Sequence, residues 1–358
     1  MEHIFKKSVL ELHGYVSPPQ KEFKVKLNQN ESPFDVPQYL KDELAESAKK
    51  LAWNRYPLNE SPELMQKLAR RHHVEPNQIL LGSGSNQIFQ TLLTATISPG
   101  DAVLYTAPTF SLYDLFSKIY DGTLVEILHA PDAGYPLDNV LEKIKQTNPK
   151  LLLICSPNNP TGWEIDLKTV ELICQSSNGL VFFDEAYGEF TEQSAVPLLS
   201  KYDNLMVSRT FSKAFSMAGL RFGYFVANAP IIEQLRKVNI PYNVNLFTEM
   251  VALRLLDNEA EMRQNVQYLK DERARVSADM QKIRGITVFP SAANFILFKG
   301  PQTLDLFGAL KDRGVLVRDV SSYPLLAGHQ RVSMGFKEEN DLFLDTLKEI
   351  MREFYGED

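Results

Sequence analysis

Cysteine is nearly absent: two in 358 residues, which excludes a disulfide framework and points to a reducing compartment. Cys155 sits in an apolar run and Cys174 in an expected helix, with none of the spacing a metal site needs. Long apolar runs are absent too, and without one of roughly 20 residues no membrane-spanning helix is expected. Met1 to Leu10 is charged and lacks an apolar centre, so no secretory leader is expected. Long runs of Lys or Arg are missing, and the formal net charge of −7 argues against a nucleic-acid surface. Small anionic ligands stay open, because a local pocket of arginines works inside an acidic protein. Repeats, low-complexity tracts and flexible linkers are lacking as well. The expectation is a soluble cytoplasmic protein with no nucleic-acid or membrane partner and no metal.

What is present is strand–helix alternation. Apolar runs at 78–81, 102–105, 124–128, 151–155, 180–183 and 205–207 alternate with stretches such as Ile88, Leu92, Leu93 and Ile97 at helical spacing. That alternation builds βαβ units, and so a mostly parallel sheet covered on both faces. Ser61-Pro62-Glu63 opens a helix with an N-cap, a proline at the first helical position and an acid in the first turn. After a run at 222–226 the pattern is helical through Lys270 to Arg275. Short strands follow at 287–289, 295–298, 315–317 and 331–334, then a closing helix from Glu338 to Phe354. The first forty or so residues, rich in Pro, Asn and Gln, read as an extended arm. The expected fold class is α/β. A large domain with a central sheet between helices would take residues 46–270, and a smaller α+β domain would take 1–45 and 271–358.

Four segments carry chemistry. In Ser208-Arg209-Thr210-Phe211-Ser212-Lys213 a lysine follows a strand among small and apolar residues. Burial disfavours an ammonium ion and leaves an amine able to form an imine with an aldehyde. A lone lysine is more often solvated in a loop, but the nearby hydroxyls and Arg221 together suit a phosphate group. In Leu180-Val181-Phe182-Phe183-Asp184-Glu185-Ala186-Tyr187 an acid ends a buried strand, where parallel sheets place ligands. Such a carboxylate suits a protonated ring nitrogen. The acidic strand end of a P-loop ATPase looks the same, yet no Gly-x-x-x-x-Gly-Lys-Ser/Thr string exists to accompany it. Gly82-Ser83-Gly84-Ser85-Asn86-Gln87 lies between a strand and a helix, where free N–H groups and the helix dipole favour a phosphate. It is a defective dinucleotide fingerprint, with Gln87 at the third glycine, and a plain tight turn explains it equally well. Cys155-Ser156-Pro157-Asn158-Asn159-Pro160-Thr161-Gly162 is either a structural turn or a rigid mount for the Asn159 amide.

The ordered set resembles the fold-type-I pyridoxal-phosphate (PLP)-dependent aminotransferases, over almost the whole chain from Tyr15 to Arg331. Within them it is most similar to the histidinol-phosphate branch, through Asn28-Gln29-Asn30-Glu31-Ser32-Pro33 and Asn54-Arg55-Tyr56-Pro57. The resemblance implies pyridoxal 5′-phosphate as cofactor, carried on Lys213 as a Schiff base. Lys213, once freed by substrate, would move the substrate's proton. Asp184 would hold the ring nitrogen's proton, while Asn159 and Tyr187 bond the phenolic oxygen. Phe110, in Pro108-Thr109-Phe110, would stack on the ring; tyrosine often stands there in the branch, and only the aromatic face is needed. The phosphate would lie on the backbone of Ser85, Asn86 and Gln87, closed in by Thr210, Ser212 and Arg221. Relatives commonly carry Asp-Glu at Asn86-Gln87, a change that backbone binding tolerates.

Tyr56 would reach the neighbouring subunit's phosphate and substrate, which makes a homodimer part of the expectation. The resemblance puts Arg331 and Arg318 on a substrate carboxylate or phosphate, with Tyr15, Asn30 and Asn159 also at the substrate end. It implies transamination between histidinol phosphate and 2-oxoglutarate for histidine biosynthesis. An aromatic-amino-acid aminotransferase and a threonine-phosphate decarboxylase-like lyase are close alternatives. A non-enzymatic PLP- or nucleotide-binding module is remote, since the chain has no added basic DNA-binding segment.

Overall fold

The computed structural model describes residues 2–12 and 23–356. Its strands are β1 (Val25–Lys26), β2 (Ile79–Gly82), β3 (Ala102–Ala107), β4 (Thr123–Leu128), β5 (Leu151–Cys155), β6 (Leu180–Asp184), β7 (Leu205–Thr210), β8 (Gly223–Ala227), β9 (Thr287–Val288), β10 (Phe295–Lys299), β11 (Val315–Leu316), β12 (Arg318–Asp319) and β13 (His329–Ser333). β2 to β8 form a seven-stranded sheet in the order β2-β8-β7-β6-β5-β3-β4. Its ladders are parallel from β4 through β7, and β8 runs antiparallel to both β7 and β2. The α/β class with a mostly parallel central sheet is therefore as expected, with β8 the one reversed strand in that sheet.

Alternation along the strands explains why the sheet is covered twice. Leu152, Ile154, Val181 and Phe183 enter one apolar cluster, and Leu151, Leu153 and Phe182 enter another. Successive side chains point to opposite faces, so each face needs its own helical cover. The helix Pro62–His72 starts as its sequence dictates: the Ser61 hydroxyl accepts from the Leu64 N–H at 3.3 Å.

The remaining strands stand apart. β12-β13-β10-β9 make an antiparallel sheet, and β1 pairs in parallel with β11. The arm expected over the first forty residues is only partly extended. It includes a short helix, Lys7–Leu10, and is pinned by β1, while the helix Gln38–Ala48 begins before residue 40. No helix among the described residues is long and apolar enough to cross a membrane.

Candidate active site

The C-terminal ends of β2, β3, β5, β6 and β7 converge on one cavity, the place where a parallel sheet leaves backbone groups and loops free for a ligand. Ser85, Asn86, Phe110, Asn159, Asp184, Tyr187, Thr210, Ser212, Lys213 and Arg221 all line it. So do Asn30, Arg318 and Arg331 from the other side.

At one end is an anion cradle. Gly84, at φ +78°, caps the helix Ser85–Thr96, whose first residues, Ser85 and Asn86, line the cavity with the N–H groups a helix start leaves free. A Cβ on Gly84 would lie 2.4 Å from Arg221 Nη2, and one on Gly223 would lie 2.5 Å from the Ser85 nitrogen. The close approach of guanidinium, β8 and helix start therefore requires glycine at both positions. Arg221, itself at φ +55°, donates to Ser212 Oγ at 3.2 Å, and Thr210 Oγ1 donates to Ser212 Oγ at 3.0 Å. Hydroxyls, guanidinium and helix terminus form a donor set suited to a phosphate.

Lys213 stands at the centre. Its Nζ donates to the Gln29 carbonyl at 2.9 Å. Burial first, then the nearby Arg331 and Arg221, lower its pKa to about 7, so near neutrality much of it is a free amine. Asp184, 6% exposed, lines the same cavity. Burial raises its pKa, while the Tyr113 hydroxyl donating to Oδ2 at 2.7 Å and the Ala186 N–H donating to Oδ1 at 3.1 Å oppose that rise. Tyr187 is pushed up to about 12, chiefly by burial, and stays a neutral phenol that accepts from Asn30 Nδ2 at 2.7 Å.

The substrate end is set by β-sheet register. Arg318 and Arg331 face each other across β12 and β13, which brings two guanidiniums to one wall. Arg331 Nη2 donates to the Asn28 carbonyl at 2.8 Å, Nη1 donates to Asn159 Oδ1, and the group lies over Phe295 at 5.2 Å.

Some expected residues turn away from the cavity, are engaged within the protein, or lie outside the described residues. Gln87 turns its side chain away from the cavity, accepting from Ser83 N at 3.2 Å and Asn243 Nδ2 at 2.9 Å. Tyr56 is 82% exposed and stacks on Tyr242 at 4.7 Å, outside its own chain's cavity. Tyr15 lies outside the described residues. Asn30 spends its amide internally, on Tyr187 and on Ser333 Oγ at 3.0 Å. Sequence reasoning missed Tyr113 and Asn28. Asn28 is 1% exposed, lines the cavity, and has no hydrogen-bond partner on either amide atom. Its place in the Asn28-Gln29-Asn30 run was the available signal.

Residues 22–347 match the aminotransferase class I and II family. The chain belongs to this family. Pyridoxal 5′-phosphate is accordingly its cofactor, and the chain is a PLP-dependent aminotransferase. It is 37% identical over 329 residues to the histidinol-phosphate aminotransferase of a Thermoanaerobacter species, covering 92% of this chain and 93% of that one. It is 36% identical over 330 residues to the histidinol-phosphate aminotransferase of Chlorobaculum tepidum, covering 92% and 95%. Among solved structures, that of the Sinorhizobium meliloti histidinol-phosphate aminotransferase in complex with pyridoxal-5′-phosphate superposes with a TM-score of 0.87. That match is 22% identical and covers 98% of both chains, so the aminotransferase has the fold-type-I architecture. The residues fit the cofactor: a phosphate cradle, a buried carboxylate and an amine of lowered pKa line a single cavity, beside an aromatic face at Phe110.

Proposed function

We propose that this aminotransferase moves the amino group of histidinol phosphate to 2-oxoglutarate, giving imidazole acetol phosphate and glutamate in histidine biosynthesis. Similarity over more than nine-tenths of both chains to relatives that carry this name is the observation on which the substrate rests. The two facing guanidiniums support it, since a substrate phosphate in one half-reaction and a carboxylate in the other each suit an arginine pair.

Bound pyridoxal phosphate supplies the aldehyde that takes up the amino group and the electron-withdrawing ring that makes the substrate α-carbon acidic. The chain supplies everything else. Ser85, Asn86 and Gln87 backbone groups with Thr210, Ser212 and Arg221 would hold the phosphate. Phe110 would cover a ring face. Asn159 and Tyr187 would bond the phenolic oxygen, and the Asp184 carboxylate would keep the ring nitrogen's proton in place. Lys213 Nζ, as a neutral amine, accepts the proton from the α-carbon. Arg331 assisted by Arg318 would orient the substrate anion, with Asn30 and Tyr15 at the same end.

The division into a large domain over 46–270 and a smaller one from 1–45 and 271–358 is supported by the segregation of the sheets. A homodimer is supported by exposed aromatic pairs, Trp53 against Phe247 and Tyr56 on Tyr242, apolar surface of the kind a second copy covers. Tyr56 would then serve the neighbouring site. A cytoplasmic location accords with the two free cysteines.

The test is a single-turnover panel of histidinol phosphate, phenylalanine, tyrosine and threonine phosphate. Histidinol phosphate should bleach the visible band of the bound cofactor fastest, and 2-oxoglutarate should restore it. Faster reaction with phenylalanine would reassign the chain to the aromatic branch. Release of CO2 from threonine phosphate would make it a lyase.

A further inference from the structure

Tyr113 is fully enclosed, at 1% exposure, and its hydroxyl donates at 2.7 Å to Asp184 Oδ2. The sequence gap between the two is 71 residues, so the contact is made by the sheet: Asp184 ends β6, and Tyr113 stands in the helix Leu112–Ile119 after β3. The same ring meets Phe110 edge to face, with centroids 5.6 Å apart at 89°. Phe89 at 5.3 Å and Phe182 at 6.3 Å pack its other sides and fix its pitch. One side chain thus touches both the carboxylate and the aromatic face that the proposed cofactor contacts require.

We propose that Tyr113 is a positioning residue of this aminotransferase, holding Asp184 ionised and aimed into the cavity while setting the tilt of Phe110. The electrostatics have a definite sign. Burial alone drives Asp184 toward its neutral acid, and a neutral acid cannot balance a cationic ring nitrogen. The phenol is itself held neutral by burial beside that carboxylate, so it remains a donor over the working pH range. Its hydrogen bond favours the charged carboxylate and leaves Oδ1 to the Ala186 N–H, which fixes the plane of the group. In Tyr113→Phe the ring keeps its three aromatic neighbours and only the hydroxyl goes, with its contacts to Asp184 and the Cys155 thiol.

This inference rests on the assignment of Asp184 to the cofactor's ring nitrogen, and the experiment separates the two. Pyridoxal-phosphate dissociation is measured on holoenzyme by dilution and by titrating the cofactor back, for wild type, Tyr113→Phe, Asp184→Asn and the double variant. Losing a hydrogen bond to a buried charge predicts affinity weaker by about ten- to a hundredfold in Tyr113→Phe, a shifted visible band, and a melting temperature of the cofactor-free protein close to wild type. In the Asp184→Asn background the same change should have little further effect, because no carboxylate remains to be held. Equal losses in both backgrounds, or wild-type affinity and spectrum in Tyr113→Phe, overturn the role of Tyr113. Wild-type affinity in Asp184→Asn overturns the carboxylate assignment instead.

Discussion

A lysine that titrates near neutrality is the most unusual residue here. Burial and the nearby Arg331 and Arg221 favour the neutral amine and outweigh Glu31, which favours the ammonium. An ammonium cannot accept a proton, so turnover should fall as pH drops through about 7, and a pH–kcat profile checks this. Replacing Lys213 by Ala should cut turnover by roughly 10²–10⁴-fold or more, since general-base catalysis alone accounts for that range. Lys213, Asp184, Asn159 and Arg221 were legible in the sequence because each stands at a strand end beside glycines, prolines or hydroxyls. Tyr113 and Asn28 were not, because what marks them is the direction of a side chain across a fold. An aromatic three residues past Phe110 carries no local sign that it ends on a carboxylate.

Elements are legible in the sequence where burial dictates composition. The runs at 151–155 and 180–183 are strands because central parallel strands are covered on both faces. β8 was visible as a strand but not as a reversed one, since direction is set by connections and not by residue pattern. The described part of the N-terminal arm is less extended than its composition implies: Pro and Asn mark breaks, and helices as short as Lys7–Leu10 carry too few turns for periodicity to show. The meeting of β8 with the helix Ser85–Thr96 yields a prediction. Gly223→Ala places a methyl 2.5 Å from the Ser85 nitrogen and 3.0 Å from the Arg209 carbonyl, so the helix start must move. Cofactor affinity should drop more than thermal stability, a split that titration and a melting curve together reveal.

At the scale of the whole molecule, a buried ion network underlies the site. Arg209, on β7, pairs with Glu185, just past β6, and with Glu189 at 3.0 Å, while Arg71 reaches Glu189 at 3.4 Å. Arg209→Ala would strand buried carboxylates and should cost about 3–5 kcal/mol of stability by denaturant titration. The proposed dimer has its own test. Lys213→Ala and Tyr56→Phe chains, each impaired, should regain activity when mixed and re-associated. One site of each hybrid then has its own lysine and its neighbour's tyrosine. No recovery would place Tyr56 at its own chain's site or at none.

In the proposed reaction the Lys213 amine binds the cofactor and runs a reversible amino transfer. This is tested most directly by recording the visible spectrum of the purified protein, adding histidinol phosphate, and then adding 2-oxoglutarate. A bound-cofactor band that bleaches with the first and returns with the second, and that is altered in Lys213→Ala, is the predicted result. A Lys213→Ala protein with the wild-type spectrum and the same two-step cycle would contradict it.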